Sequence, residues 1–293
     1  MNKKILFIGL TTVDIQYFVD EFPLPNQKLK TEPPHIYVGG PAANAAITCS
    51  FLNGKADLIT CIGENAFSHF IKDDFIQNNI CVFDFAENKS FSPIIASIIT
   101  TIKNSDRSVI SHFPAKTEYD NLAVQEFGIS DYQLVMTDGF YPAIALPVCR
   151  IAHEQGIPVI LDGGSWKPGI EEILSFTDVA ICSEQFLPPG CNSIIDVIHY
   201  LSQKSISNSA ITRGEKSIIW SDSKNIHEIE VSKTKSIDSL GAGDIFHGAF
   251  TYFYSINGDF QESLTRASTV ASYSTRYKGT REWMKHIINQ TVT

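Results

Sequence analysis

The 293-residue sequence contains no GxxxxGKS/T element, so a bound nucleotide would need some other anion-holding feature. Nor does any stretch reach the roughly 18 apolar residues that a membrane helix requires, which predicts a protein with no membrane partner. The six cysteines, Cys49, Cys61, Cys81, Cys149, Cys182 and Cys191, show no CxxC spacing. Scattered through mostly apolar runs, they read as buried free thiols of a reducing compartment, so the expected location is cytoplasmic. His153-Glu154 lacks the second histidine of a metalloprotease helix. Clustered positive charge is missing as well: a formal net charge of -9 argues against the phosphate-coating surface of a nucleic-acid binder. Lys3-Lys4 precedes the apolar run Ile5 to Gly9, but that run is short and ends at Thr11-Thr12-Val13-Asp14 without a cleavage-like site. It is read as a first β-strand rather than a signal peptide.

What is present is ordinary globular material, 43% hydrophobic and 19% charged, so disorder is not the default anywhere. The length fits one large α/β domain over residues 1–293 better than two equal ones. Strand-like runs at Ile5 to Gly9, Asp57 to Ile62, Gln133 to Thr137, Pro158 to Asp162, Val179 to Cys182 and Ser209 to Thr212 alternate with segments of helical period. The helical segments are Ala42 to Leu52, Phe67 to Asn78, Pro142 to Gln155 and Ser193 to Gln203. That alternation predicts a mostly parallel sheet with helices on both faces, a three-layer α/β/α fold that binds ligands at the carboxyl ends of its strands.

Two regions break the pattern. Residues from about 15 to 38 carry Pro23, Pro25, Pro33 and Pro34, and residues from about 92 to 113 alternate β-formers with polar residues. Paired with each other, they would form a small sheet over the strand ends, a natural lid or homodimer surface; the other reading is two unrelated surface hairpins.

The most informative segment is Ile237 to Phe250. A polar turn with Gly241 and Gly243 runs into an apolar stretch of helical period, with Asp244 at the junction. Such a junction aims unpaired backbone N–H groups and the positive end of a helix dipole at one spot where an anion can sit. Asp244 can then accept the proton of an attacking hydroxyl, as phosphoryl transfer to an alcohol requires. Taken alone, the same residues are also compatible with a turn that caps a core helix. Asp14 follows the first strand, and Gly39-Gly40-Pro41-Ala42-Ala43-Asn44 forms a bare turn leading into a helix. A carboxylate and an amide over uncovered backbone suit a polyol, whose hydroxyls each need an orienting partner.

Together these segments resemble the PfkB family of ribokinase-like sugar kinases, over nearly the whole chain from Ile8-Gly9 to Gly279-Thr280-Arg281. Gly39 to Asn44 is similar to the family's GGxxxN element, and Asp238 to Asp244 to its DTxGAGD element with Ser239 in place of Thr. Cys61 to Phe67 resembles the glycine turn after the second strand, and Ile211 to Glu215 the TxGxxG-like nucleotide strand. The resemblance implies a ribokinase-like fold with a β lid, and ATP with Mg²⁺ as cofactors. It makes Asp244 the base and the backbone of Gly241, Ala242 and Gly243 the anion hole. Asp14, Gly39, Gly40 and Asn44 would hold the sugar, Thr212 and Gly214 would lie near ATP, and Asp238 would help place a monovalent cation such as K⁺.

One departure concerns the metal. Where many relatives carry NxxE, with a Glu that organises Mg²⁺, this chain has Ser183-Glu184-Gln185-Phe186. Glu184 could substitute only through a different geometry. A comparable departure occurs in the ketohexokinase-like and sulfofructose-kinase-like branch, which Gly9 to Asp14, Asp162-Gly163-Gly164-Ser165-Trp166 and Phe246 to Phe250 also resemble. The expectation is ATP-dependent phosphorylation of a ketose or ketose derivative. A nucleoside kinase of the same family and a catalytically silent sugar sensor are the alternatives. Arg107, in the second excursion, is a candidate for reaching a phosphate or acidic group on the substrate, or else a solvated lid charge.

Overall fold

The structure is a computed structural model that describes residues 4–112 and 127–289. Met1 to Lys3, the last residues of the chain, and Phe113 at the expected end of the second excursion lie outside the described residues.

The elements follow in order as β1 (Lys4–Ile8), β2 (Thr12–Val19), β3 (His35–Gly39), α1 (Pro41–Phe51), β4 (Ala56–Thr60), α2 (Ser68–Gln77) and β5 (Cys81–Asp84). Next come β6 (Ile95–Thr101), β7 (Arg107–Ser111), β8 (Tyr132–Thr137), α3 (Pro142–Glu154), β9 (Val159–Gly163), α4 (Ile170–Leu174), β10 (Val179–Ser183) and α5 (Ile194–Gln203). The remainder is β11 (Asn208–Arg213), β12 (Lys216–Ser221), β13 (Ile226–Ile229), α6 (Ala242–Asn257), α7 (Phe260–Ser274) and a 3₁₀ helix (Glu282–Asn289).

A nine-stranded sheet runs in the order β13-β12-β11-β10-β9-β8-β1-β4-β5. Its strands are parallel from β11 to β5, and β12 and β13 add an antiparallel edge. The parallel strands are short apolar runs because helices cover both of their faces. In β1, Ile5 and Phe7 enter one core with α1, α2, α6 and α7, while Leu6 and Ile8 enter the other with α3, α4 and α5. The expected three layers are therefore present, with each expected strand and helix within about two residues of its anticipated bounds. Four cysteines are buried free thiols, Cys191 is half-buried, and Cys81, on the edge strand β5, is exposed, contrary to expectation. No helix among the described residues is long and apolar enough to cross a membrane.

The two excursions do pair, which rules out unrelated hairpins. β2 and β6 run parallel, β3 flanks β2 and β7 flanks β6, giving a four-stranded sheet in the order β3-β2-β6-β7. The sheet starts earlier than anticipated: β2 begins at Thr12, so Asp14 lies on a strand of the small sheet rather than in the loop after β1. Side chains of paired residues share a face and alternate along each strand. One face therefore carries Asp14, Gln16 and Phe18 with Arg107 across from Thr100, and the other carries Ile15, Tyr17, Ile36, Ile99 and Ile110.

Candidate active site

Helices α1 and α6 meet where their first turns come together. The first turn of α1 starts at Pro41, which fits there because that position has no intrahelical use for an N–H. Its N-cap Gly40 has φ of +100°, and a Cβ there would lie 2.3 Å from the Leu10 carbonyl oxygen, so only glycine fits. Helix α6 starts after Gly241, which has φ of +68° and would place a Cβ 2.6 Å from Thr280.

These starts bring Asn44 and Asp244 together. Asn44 Nδ2 donates to Asp244 Oδ2 at 2.7 Å. Burial, then the negative charges of Asp162 and Asp14, push the Asp244 carboxyl up to about 7, while the Asn44 hydrogen bond and His247 oppose that rise. Asp244 nevertheless keeps part of its surface open and Gly243 is exposed, so the turn is not sealed beneath side chains. The first N–H groups of α6 lack intrahelical partners and are free for an anion, except that Ala242 N turns back onto Ser239 O at 3.2 Å.

Asp14 reaches the same place from the small sheet. Its Oδ1 accepts from Thr12 Oγ1 at 2.6 Å. Burial raises its carboxyl, against the Thr12 hydrogen bond and the positive charge of Arg281. A Cβ on Gly39 would lie 2.1 Å from Asp14 Oδ2, so that glycine keeps the carboxylate's space open.

Sequence reasoning assigned Asn44 to the sugar, but half of its amide is committed to protein. Its Nδ2 holds Asp244, and its Oδ1 accepts from Arg281 Nη1 at 2.8 Å. Arg281 lay at the edge of a motif and had no assigned role. Three further residues were passed over. Asp138, at the end of β8, accepts from the amides of Leu10, Ala42 and Phe140 and so braces the entry to both β2 and α1; burial pushes its carboxyl up to about 6. Gln16 Nε2 donates to Thr100 Oγ1 and to Asp238 Oδ2, both at 2.8 Å. His247 meets Gly243 O at 2.8 Å, Ile181 O at 3.1 Å and Asp162 Oδ2 at 3.4 Å. A carboxyl at the end of a strand is the only signal for Asp138, Gln16 shows only a two-residue spacing to Asp14, and His247 lies inside a segment whose only mark is the family resemblance.

Asp238 is a buried strut. Its oxygens accept from Gln16 Nε2, Gly279 N at 2.7 Å and Leu240 N at 3.0 Å. A monovalent cation there would have to share oxygens already occupied by three N–H donors. Arg107, on the small sheet, donates through Nη1 to Ser239 O and to Ser239 Oγ, tying that sheet to the segment before the α6 turn. Thr212, next to last in β11, places its hydroxyl on Cys182 O at 3.3 Å, and Gly214 makes the turn into β12 with φ of +62°.

The element that replaces NxxE does not fit Mg²⁺. Ser183 Oγ donates to Gly164 O and accepts from Gln185 N. Phe186 is fully buried with its ring 5.4 Å from that of Trp166. Glu184 is exposed, and its nearest cation is Lys216 Nζ at 3.9 Å. Among the described residues no group of three or more His, Cys, Asp or Glu could hold a metal ion.

Comparison with known proteins agrees with this architecture. The family model described as pfkB family carbohydrate kinase matches residues 2–287. A ribokinase from Haemophilus influenzae is 24% identical over 95% of this chain and 94% of its own, and a nucleoside kinase from Methanocaldococcus jannaschii is 23% identical over 94% and 92%. The structure of Arabidopsis thaliana ribokinase complexed with ribose and ATP superimposes with a TM-score of 0.76 at 17% identity, covering 95% of this chain and 94% of that one. With a ribokinase-like fold and a family match across nearly its whole length, the chain belongs to the pfkB family and is a carbohydrate kinase.

Proposed function

We propose that this kinase transfers the γ-phosphoryl group of ATP to a sugar hydroxyl, with Asp244 as the base that takes the hydroxyl proton. The observation that carries the reading is the Asn44–Asp244 contact at the open N-terminal turn of α6. One carboxylate, raised to about 7, stands beside backbone N–H groups aimed at an anion. The acceptor hydroxyl loses its proton to Asp244 as its oxygen attacks the phosphorus; ADP leaves, and the amides of Gly241 and Gly243 face the developing charge. Ala242 contributes less, since its amide is already turned onto Ser239. Asp14 and the uncovered backbone at Gly39 and Gly40 would orient the sugar, and Thr212 and Gly214 would flank the nucleotide. Glu184 and the rest of its turn are not assigned to Mg²⁺, and Asp238 is assigned to bracing the loop rather than to a cation.

The finer acceptor reading, a ketose or ketose derivative, rests on the segments Gly9 to Asp14, Asp162 to Trp166 and Phe246 to Phe250. A nucleoside acceptor is the second reading, favoured by the similarity to a nucleoside kinase over most of both chains. The small sheet would close over the acceptor site with its Asp14 face. Its opposite face leaves Tyr17, Ile36 and Ile110 exposed at 36%, 49% and 70%, which supports a homodimer through that face.

ADP release with a panel of ketoses, aldoses and nucleosides tests the reading. Turnover with one class, abolished in Asp244→Asn while sugar binding persists, is the expected result. Saturable sugar binding without turnover would instead support a silent sensor, and near-normal turnover in Asp244→Asn would overturn the assignment of the base.

A further inference from the structure

The Arg281 guanidinium is largely buried beside Asn44 and Asp244, and burial lowers its affinity for its proton against the opposing charges of Asp74, Asp14 and Asp244. Both terminal nitrogens are engaged. Nη1 donates to Asn44 Oδ1 at 2.8 Å and to Thr280 Oγ1 at 2.9 Å. Nη2 donates to Val38 O at 2.9 Å and lies 3.7 Å from Asp74 Oδ2. One side chain thus joins α2 through Asp74, β3 through Val38, and α1 through Asn44.

The contact with Asn44 has a directional consequence. An amide has one accepting end and one donating end. Arg281 can only donate, so it fixes Oδ1 toward itself, and Nδ2 is then the end presented to Asp244. With the amide reversed, Oδ1 would face a carboxylate oxygen and the Nδ2 hydrogens would face the guanidinium, an arrangement repulsive at both ends. The fork geometry is specific to arginine, since an ammonium group is a point charge without two fixed donor pairs.

We propose that Arg281 is a positioning residue for phosphoryl transfer: it sets the orientation of the Asn44 amide, and through it the place and charge of Asp244. Asp14, Asp74 and Asp244 are the carboxylates that surround the guanidinium, with Asp162 and His247 facing Asp244 from β9 and α6. The inference rests on the assignment of Asp244 as base.

The experiment compares Arg281→Lys and Arg281→Met with the wild type on the best acceptor from the panel, recording kcat, both KM values and the pH profile. Thermal melting establishes that each variant is folded, and Arg281→Met combined with Asp74→Asn removes the buried unpaired carboxylate if the single variant does not fold. Expected are a loss of about 10²-fold in kcat for both variants, the size of effect that misplacing a reacting group by about 1 Å produces, with the KM for ATP unchanged. The acid limb of kcat/KM should move to higher pH in Arg281→Met, which lacks the positive charge, and stay in place in Arg281→Lys, which keeps it.

A second readout does not need turnover. The side-chain amide resonances of Asn44 should titrate with Asp244 in the wild type and lose that dependence in Arg281→Met, which offers Oδ1 no donor. Folded variants with unchanged kcat, pH profile and Asn44 resonances would overturn the proposal and leave the kinase reading standing. A wild type that phosphorylates nothing in the panel would overturn the kinase reading, while the Asn44 resonances would still decide whether Arg281 orients the amide.

Discussion

Gly248 of α6 packs against Ala45 of α1 so closely that a Cβ at the glycine would lie 2.3 Å from the Ala45 carbonyl oxygen. Each residue is within one turn of a site residue on its own helix, Asn44 on α1 and Asp244 on α6. The contact therefore sets how near the amide and the carboxylate can come. Gly248→Ala should cost about 1–3 kcal/mol of stability, the usual penalty for an added methyl in a filled core. It should also lower kcat by separating Asn44 from Asp244. Melting curves and initial rates check both effects; a stable variant with normal kcat would show that the helix spacing is not what brings the pair together.

The charges around Asp244 predict opposite shifts from two neighbours. The base must be ionised, so kcat/KM should fall on the acid side of about pH 7. Asp162 raises the Asp244 carboxyl and His247 lowers it. Asp162→Asn should accordingly extend activity to lower pH, and His247→Asn should move the acid limb to higher pH. Profiles of the two variants with a common acceptor provide the measurement, and shifts of the same sign would contradict the electrostatic account.

Stability and activity should trade against each other at Asp244. Its folded carboxyl is raised above the ordinary value, so the protonated form favours folding below pH 3.8, and that contribution is lost as the pH rises through about 7. At pH 8 the wild type has lost it. Asp244→Asn is neutral at every pH and should melt higher than the wild type at pH 8, with a smaller difference at pH 5. Differential scanning calorimetry at the two values is the check.

The outer face of the small sheet should mediate self-association. Ile36→Lys with Ile110→Lys places two charges among the exposed apolar side chains and should shift the protein from dimer to monomer, as read by light scattering at micromolar concentration. A wild type that is monomeric at every concentration tested would remove the dimer from the proposal.

The central strands were legible because parallel strands buried on both faces are short, continuous apolar runs; KILFI in β1 and VAICS in β10 are examples. Strands β12 and β13 escaped because KSIIWS and IHEI lie at the sheet's antiparallel edge and mix polar with apolar residues. Asp244 and Asn44 were readable because glycine turns before apolar helices announce themselves locally. Arg281 was not readable in that way, since its role comes from a partner 237 residues away and from an amide whose orientation no local pattern encodes.

The seam between β2 and β6 ties Gln16 to Thr100 across 84 positions, and Asn44 meets Asp244 and Arg281 only from the far end of the chain. During synthesis, the first of these strands emerges from the ribosome long before its partner. Pairings at such separation close late, because the intervening chain must be ordered first. Asp14, Asn44 and the apolar outer strands are thus exposed on the nascent polypeptide until its distal segments arrive. On the proposed assignment of the base, a chain interrupted before Asp244 would carry most of the scaffold without the group that takes the hydroxyl proton.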